Sequence, residues 1–252
     1  MTDIFSLKNK VILITGAGKG IGNYLADKLS QEKAIIYAID ISFSNPNKIL
    51  PTNLNQIKCD ITSKKKFYNV CKLIFKNHKK IDVLINNAGL SFPSKSEVYG
   101  EINWEKTLAV NLTASYFCSL STIDFMKKNN TGSIINITSL NAEQAFPKNP
   151  AYVASKGGLK MLGKSLAKDW GKFGIRVNNL GPGYIKTDMT KKSFNNKKTR
   201  MEREKQTLLG RWGEIDDLVG PCIFLASDAS NYITGQDIYV DGGWLANGGI
   251  ST

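Results

Sequence analysis

The sequence predicts an α/β domain built as a doubly wound parallel sheet of seven strands, and three observations predict it. Short β-branched runs alternate with longer stretches of helical period along the whole chain. Several of the runs are apolar on both faces, as strands covered by helices on each side must be. A glycine-rich segment joins the first run to the first helical stretch, which is where open α/β sheets place their ligands.

Taken in order, the strands are expected at 10–15, 34–39, 56–59, 81–85, 133–138, 175–180 and 237–240. Between them lie amphipathic patterns such as Ile21, Leu25, Ala26 and Leu29, and later Leu159, Leu162 and Leu166. Right-handed crossovers then line the strand C-termini, and any ligand, along one edge. Two stretches break the rhythm. Residues 41–55 carry two prolines and read as a loop or a stunted helix. Residues 184–211 are polar and basic, too long for a plain connection, and so form a candidate lid. With no repeat and no low-complexity linker, 1–252 reads as one domain.

Composition narrows the function. The 252 residues are 42% hydrophobic and 22% charged, a balance that supports a core and excludes a disordered chain. No window approaches the ~18 uninterrupted apolar residues of a membrane span, and the first residues lack the basic and apolar regions of a secretory signal. Cys59, Cys71, Cys118 and Cys222 form no CxxC pair, and His78 stands alone, so no metal site is expected. A reduced cytoplasmic protein is the expectation. The net charge of +13 invites thought of nucleic acid, but 30 of the 34 basic residues are Lys, spread as on a solvated surface, so no nucleic-acid partner is expected.

Four local patterns carry chemistry. Residues 15–22 read TGAGKGIG; the spacing GxGxxG fails because Ile21 stands where the third glycine should be, whereas GxxxGxG fits Gly16, Gly20 and Gly22. Such glycines let backbone approach a pyrophosphate at a helix N-terminus. Asp40 ends the second strand, where a carboxylate accepts ribose hydroxyls and repels a 2′-phosphate; Asp60 is the next acid at a strand end. Residues 86–89, NNAG, close the fourth strand with small side chains. Tyr152 and Lys156 lie four apart on one helical face, and Ser139 ends the fifth strand. A phenol is a poor base near neutrality, so a neighbouring ammonium is expected to favour its phenolate. Alone, a Tyr-x-x-x-Lys pair is usually a surface pair; its company gives it weight.

Together these segments, with Asn111, residues 182–187 (PGYIKT) and 241–243 (DGG), resemble the classical short-chain dehydrogenase/reductases over 10–244. The resemblance implies a Rossmann-type fold. It implies Tyr152 as the general acid/base, Ser139 as the group holding the substrate oxygen, Lys156 on the nicotinamide ribose, and Asn111 holding a water that links Lys156 to solvent. It implies cofactor contacts from Gly16, Lys19, Gly20, Ile21, Gly22, Asp40, Asp60, Ile61, Asn87, Ala88, Gly89, Tyr152, Lys156, Pro182, Gly183, Ile185 and Thr187, and substrate contacts from Ser139, Asn141 and Tyr184. Local alternatives stand beside these: Asn111 as a helix cap or kink, Thr187 as the N-cap of the lid.

Cofactor and substrate follow as expectations. Lys19 sits where NADP-using relatives often carry a base, but the fixed carboxylate of Asp40 favours NAD over NADP. Residues 210–213, 220–221, 223–230 and 240–244 look most like gluconate and deoxygluconate dehydrogenases, which implies an alcohol–ketone conversion on a sugar acid or another polyhydroxylated, anionic small molecule. In the lid, positions 186–211 hold nine Lys or Arg against three Asp or Glu, which suits an anion. The alternatives are a 3-oxoacyl-[acyl-carrier-protein] reductase, whose acidic partner the basic surface suits, and a non-catalytic dinucleotide-binding protein. Family likeness also implies a homotetramer, with Trp244 and residues 245–252 suited to an interface.

Overall fold

Each expected strand is present: β1 (Val11–Thr15), β2 (Ile35–Asp40), β3 (Leu54–Lys58), β4 (Val83–Asn86), β5 (Gly132–Ile137), β6 (Ile175–Pro182) and β7 (Asp237–Val240). The structure, a computed structural model, describes residues 3–44, 49–94 and 98–247. The strands form one all-parallel sheet in the order β3-β2-β1-β4-β5-β6-β7. The chain runs outward from β1 to β3, then returns and runs the other way from β4. A crevice therefore opens beyond the C-termini of β1 and β4, the switch point of such sheets.

The helices are α1 (Gly20–Gln31), α2 (Lys64–His78), α3 (Glu101–Leu108), α4 (Ser115–Met126), α5 (Pro150–Trp170), α6 (Lys191–Asn195), α7 (Lys197–Gln206) and α8 (Val219–Ala226). Strand alternation explains the two-sided apolar runs. Val11 and Leu13 of β1 face Phe67, Cys71 and Ile74 of α2 and the α4–α5 layer, whereas Ile12 and Ile14 face Leu25 and Leu29 of α1 and Leu225 of α8. None of these side chains keeps more than a trace of exposure. All four cysteines are buried and free: Cys59, Cys71 and Cys118 on the first face, Cys222 on the second.

Near its C-terminal edge the α5 side of the sheet turns polar. Asn86, Asn136, Asn179 and Asp237 occupy one register row across β4, β5, β6 and β7. Asn86 Nδ2 donates to Asn136 Oδ1 at 2.9 Å, Asn136 Nδ2 to Asn179 Oδ1 at 3.0 Å, and Asn179 Nδ2 to Asp237 Oδ1 at 2.7 Å. A buried amide left unpaired costs about 1–3 kcal/mol, so the row penalises any slip of register.

Two stretches differ from expectation. In place of a loop through residue 55, β3 begins at Leu54, because Leu54 and Asn55 pair with Ile36 and Tyr37 of β2; the rest of 41–53 that is described holds no helix, and 45–48 lie outside the described residues. The lid stretch is not a plain loop but carries α6 and α7. Trp244 Nε1 donates to Gln144 Oε1 at 2.9 Å and Leu245–Asn247 form a single 3-10 turn, while 248–252 lie outside the described residues. No described helix is long and apolar enough to cross a membrane, and no described group of His, Cys, Asp or Glu is placed to hold a metal ion.

Candidate active site

The glycine-rich turn is shaped by what presses on it. A Cβ on Gly22 would lie 2.4 Å from the Gly16 carbonyl oxygen, and one on Gly16 would lie 2.6 Å from the Ala88 Cα, so the turn and the 86–89 segment touch backbone to backbone. Asn87 locks them together: its Nδ2 donates to the Thr15 and Gly16 carbonyls at 2.9 and 3.0 Å. Gly20, by contrast, has φ +59° and nothing within 4 Å of an added Cβ. It faces open space at the start of α1, whose N-cap residue, Lys19, makes no side-chain capping bond. Free helix N–H groups beside an open glycine fit a pyrophosphate.

Asp40 ends β2 beside this turn. Its Oδ2 accepts the Gly18 N–H at 2.8 Å and its Oδ1 the Ser42 N–H at 3.2 Å, so the carboxylate is held in place with lone pairs to spare. Lys19 is exposed. Asp60 lies just past β3, where its Oδ1 accepts both the N–H and the hydroxyl of Thr62, and these bonds hold its carboxyl below the usual range. Ile61 beside it is buried, as is Ile185 past β6, while Ile21 packs onto the α1 layer.

The residues expected to carry the chemistry gather one strand further along. Ser139 follows β5 in extended conformation, its Oγ donating to Asn141 Oδ1 at 3.1 Å and accepting the Asn141 N–H at 3.2 Å. Tyr152, in the first turn of α5, sets its phenol beside the Ser139 side chain, which acts to lower the phenol's pKa. Lys156, one turn on, is buried with its Nζ donating to the Ile137 carbonyl at 2.7 Å and lying 5.6 Å from the Tyr152 ring centroid. Gly89 abuts this group: an added Cβ would stand 3.6 Å from Asn111 Oδ1 and 3.7 Å from Lys156 Nζ. Gly16, Gly20, Gly22, Asp40 and residues 86–89 thus stand together at the switch point, on the same C-terminal sheet edge as Ser139, Tyr152 and Lys156.

Two expectations change here. The phenol of Tyr152 is pushed up, not down: burial outweighs the effect of Ser139, and Lys156 is held at Ile137 rather than at the phenol oxygen. Burial also lowers Lys156 to about 8. Asn111 sits in a π-helical turn, Ala109–Ala114, that widens the join of α3 and α4. Its Oδ1 accepts the Leu90 N–H at 2.7 Å, and its Nδ2 donates to the Leu90 carbonyl and Ser155 Oγ, both at 3.0 Å, so its side chain anchors the strand end.

Beyond β6 the wall becomes aromatic. Pro182 and Gly183 lead to Tyr184, whose ring meets Phe146 at 6.0 Å, Trp212 at 5.3 Å and Trp244 at 4.8 Å between centroids. Burial raises its phenol to about 12. Phe146 belongs to the segment that joins Ser139 to Tyr152, so the box is tied to that segment. The Thr187 N–H donates to Thr190 Oγ1 at 3.0 Å; Thr190, not Thr187, is the residue before α6, and its side chain makes no capping bond to the helix. Of the box, Phe146 and Arg203, which lies over the Tyr184 ring, have no sequence signal near a known motif.

A family model described as enoyl-(acyl carrier protein) reductase matches residues 16–245 of the chain. A 2-dehydro-3-deoxy-D-gluconate 5-dehydrogenase of Bacillus subtilis (strain 168) is 37% identical over 249 residues, 97% of this chain and 98% of that protein. The chain belongs to the short-chain dehydrogenase/reductase family. Like the family, this short-chain dehydrogenase/reductase is an NAD(P)-dependent oxidoreductase acting on CH–OH groups. A 5-keto-D-gluconate 5-reductase of Escherichia coli (strain K12) is 34% identical over 97% of this chain and 99% of that one. Among solved structures, a gluconate 5-dehydrogenase from Burkholderia cenocepacia J2315, in complex with NADP and tartrate, aligns with a TM-score of 0.88 at 30% identity, covering 97% of this chain and 98% of that one.

Proposed function

We propose that this short-chain dehydrogenase/reductase interconverts a secondary alcohol and a ketone on a sugar acid of the gluconate type, with NAD as the preferred cofactor. The observation that carries the reading is the meeting of Ser139, the Tyr152 phenol and the buried Lys156, whose Nζ lies 5.6 Å from the Tyr152 ring centroid, along the same sheet edge as the glycine-rich turn and Asp40. The gluconate-type activities in the relatives' names support the substrate class.

The residues divide the work. A bound dinucleotide would supply or accept the hydride at its nicotinamide. Gly16, Gly20, Gly22 and the first turn of α1 hold its phosphates, Asp40 and Asp60 the adenosine end, and residues 87–89, Pro182, Gly183, Ile185 and Thr187 the nicotinamide end. Ser139 Oγ orients the substrate oxygen, fixed in turn by Asn141. Tyr152, protonated near neutrality as any phenol with a pKa of ~10 is, donates the proton as a ketone becomes an alcohol, and takes it back in the reverse direction. Lys156 offsets charge developing on the phenol, which is the work a partly desolvated ammonium does best. The helices α6 and α7 cap the substrate.

The NAD preference rests on Asp40. Its carboxylate is pinned by Gly18 and Ser42, so it cannot swing away from a 2′-phosphate, and two anions in a narrow crevice repel. The Burkholderia relative holds NADP, so the choice turns on Asp40 in this chain. The test is spectrophotometric: oxidation of NADH and of NADPH in the presence of 5-keto-D-gluconate, and reduction of NAD+ and of NADP+ in the presence of 2-dehydro-3-deoxy-D-gluconate. Turnover of at least one, faster with NADH or NAD+, is the expected result. No turnover of any sugar acid would overturn the substrate class, and equal or faster turnover with NADPH or NADP+ would overturn the cofactor choice alone.

A further inference from the structure

The cap's charge is not evenly placed. Of its basic residues, Lys191, Lys192, Lys197, Lys198 and Lys205 are exposed. Lys186 pairs with Glu214, Arg211 with Asp217 at 2.8 Å, and Arg200 approaches Glu204 at 3.8 Å. Arg203 differs from all of these. Partly buried on the inward face of α7 between Thr199 and Thr207, it has no carboxylate partner among the described residues. Its guanidinium carbon lies 4.0 Å from the Tyr184 ring centroid and 5.5 Å from that of Trp212.

Stacking fixes what such a group has left to offer. A guanidinium lying on a ring uses its flat face there, and its N–H donors, which lie in its plane, point outward from the edge. That rigid fork matches a carboxylate with two parallel hydrogen bonds. The ring beneath it belongs to Tyr184, which also touches Phe146 of the loop joining Ser139 to Tyr152. Among the described residues, Arg203 is thus a half-buried cation of the cap with no carboxylate partner, seated on the aromatic box, whereas Arg200, also half-buried, approaches Glu204.

We propose that Arg203 selects the substrate, its guanidinium edge receiving the carboxylate of the molecule whose reacting carbon lies at Ser139 and Tyr152. This deepens the sugar-acid reading and rests on it. The exposed lysines then contribute only long-range attraction, and Tyr184 acts as the platform that holds the fork.

Four proteins decide it: the unaltered enzyme, Arg203→Met, Arg203→Lys, and a Lys197→Met/Lys198→Met control on the outer face. With 5-keto-D-gluconate, Arg203→Met should lose roughly 10- to 100-fold in kcat/KM, the range of a charged hydrogen-bond pair, and lose it in KM. Arg203→Lys should fall between, while L-sorbose, a neutral ketose, and the outer-face control should change by less than about threefold. Equal losses on the acid and the neutral ketose, or no loss on the acid, would overturn the proposal, since a cation that merely pins α7 would not discriminate. Binding separates this from the activity itself. Quenching of tryptophan fluorescence, to which Trp212 and Trp244 beside Tyr184 contribute, is titrated with D-gluconate and with D-glucitol on the cofactor-loaded enzyme. D-gluconate should bind at least tenfold more tightly than D-glucitol to the unaltered protein, and Arg203→Met should abolish that difference, whether or not either compound is turned over. A sugar acid that fails to react but still binds through Arg203 sinks the activity and leaves the carboxylate receptor; an unaltered protein that binds both ligands alike sinks the receptor.

Discussion

The floor of the site and its cap are built by different physics. On the floor, Asn111, Ser139 and Lys156 are buried and each is tied by hydrogen bonds of 2.7–3.2 Å to backbone or to a near neighbour. In the cap, α6 and α7 bury no residue fully, and much of what holds them is cations over rings: Lys186 and Arg200 over Phe194, Arg203 over Tyr184. Hydrogen bonds fix atoms in direction and distance, whereas a cation slides across a ring face at little cost. Chemistry that tolerates little displacement belongs on the first, and recognition of variable molecules on the second.

The largest break in this comparison comes from the floor. Tyr152→Phe should lower kcat by about 10²–10⁴-fold while leaving the dissociation constant for NADH within twofold, read by single-turnover kinetics and fluorescence titration. A variant keeping more than a tenth of the turnover would remove Tyr152 from its role. Next in size is the cofactor end: Asp40→Ala should shift the NADH-to-NADPH ratio of kcat/KM by about tenfold or more toward NADPH, the worth of one charged hydrogen bond together with relieved repulsion. The same variant frees the Gly18 N–H, so the KM for NADH should rise as well.

A smaller effect sharpens the floor's electrostatics. Burial lowers Lys156 to about 8, below its unfolded value near 10.4, so the unfolded chain binds more protons between those limits. Stability of the cofactor-free protein should therefore rise with pH from about 8 to about 10.4, be level on this account outside that window, and lose the rise in Lys156→Met. Melting temperature against pH reads it, and an unchanged rise in the variant would assign it to other groups. The smallest effect is the cap's exposed charge. Between 0.1 M and 1 M salt the Debye length falls from ~10 to ~3 Å, so kcat/KM for an anionic sugar acid should drop severalfold more than for a neutral ketose. Reversing Lys191, Lys192, Lys197 and Lys198 to Glu should flatten the difference; equal slopes before and after would reduce those lysines to surface composition.

The two regions were also unequally legible in the sequence. The floor's strands are runs of β-branched residues with caps at fixed spacings, so Thr15, Asp40, Asn86, Ser139 and Tyr152 could be placed from periodicity, and the family resemblance supplied roles for several of them. The reading of Asn111 as a helix cap or kink meets the π-helical turn found there, but its bonds to Leu90 and Ser155 escaped because those partners stand elsewhere along the chain. The direction of the Tyr152 shift escaped because spacing puts Lys156 on the right face without saying that Ile137 takes its ammonium. In the cap, α7 offers one apolar residue, Met201, and it points outward. Net charge was visible there, but which cation sits on the aromatic box was set by Tyr184, Trp212 and Phe146, brought together from distant parts of the chain.

The cysteines give the molecule an internal clock. Burial raises Cys71 and Cys222 to about 12 and pushes Cys118 well up, so in the closed fold their thiolates are scarce and out of reach. A thiol reagent can label them only when a layer opens. Cys71 and Cys118 lie beneath α2 and α4, and Cys222 lies on α8 across the sheet. Peptides carrying the label would thus time the detachment of each helical layer separately, in an unmutated protein with no probe added.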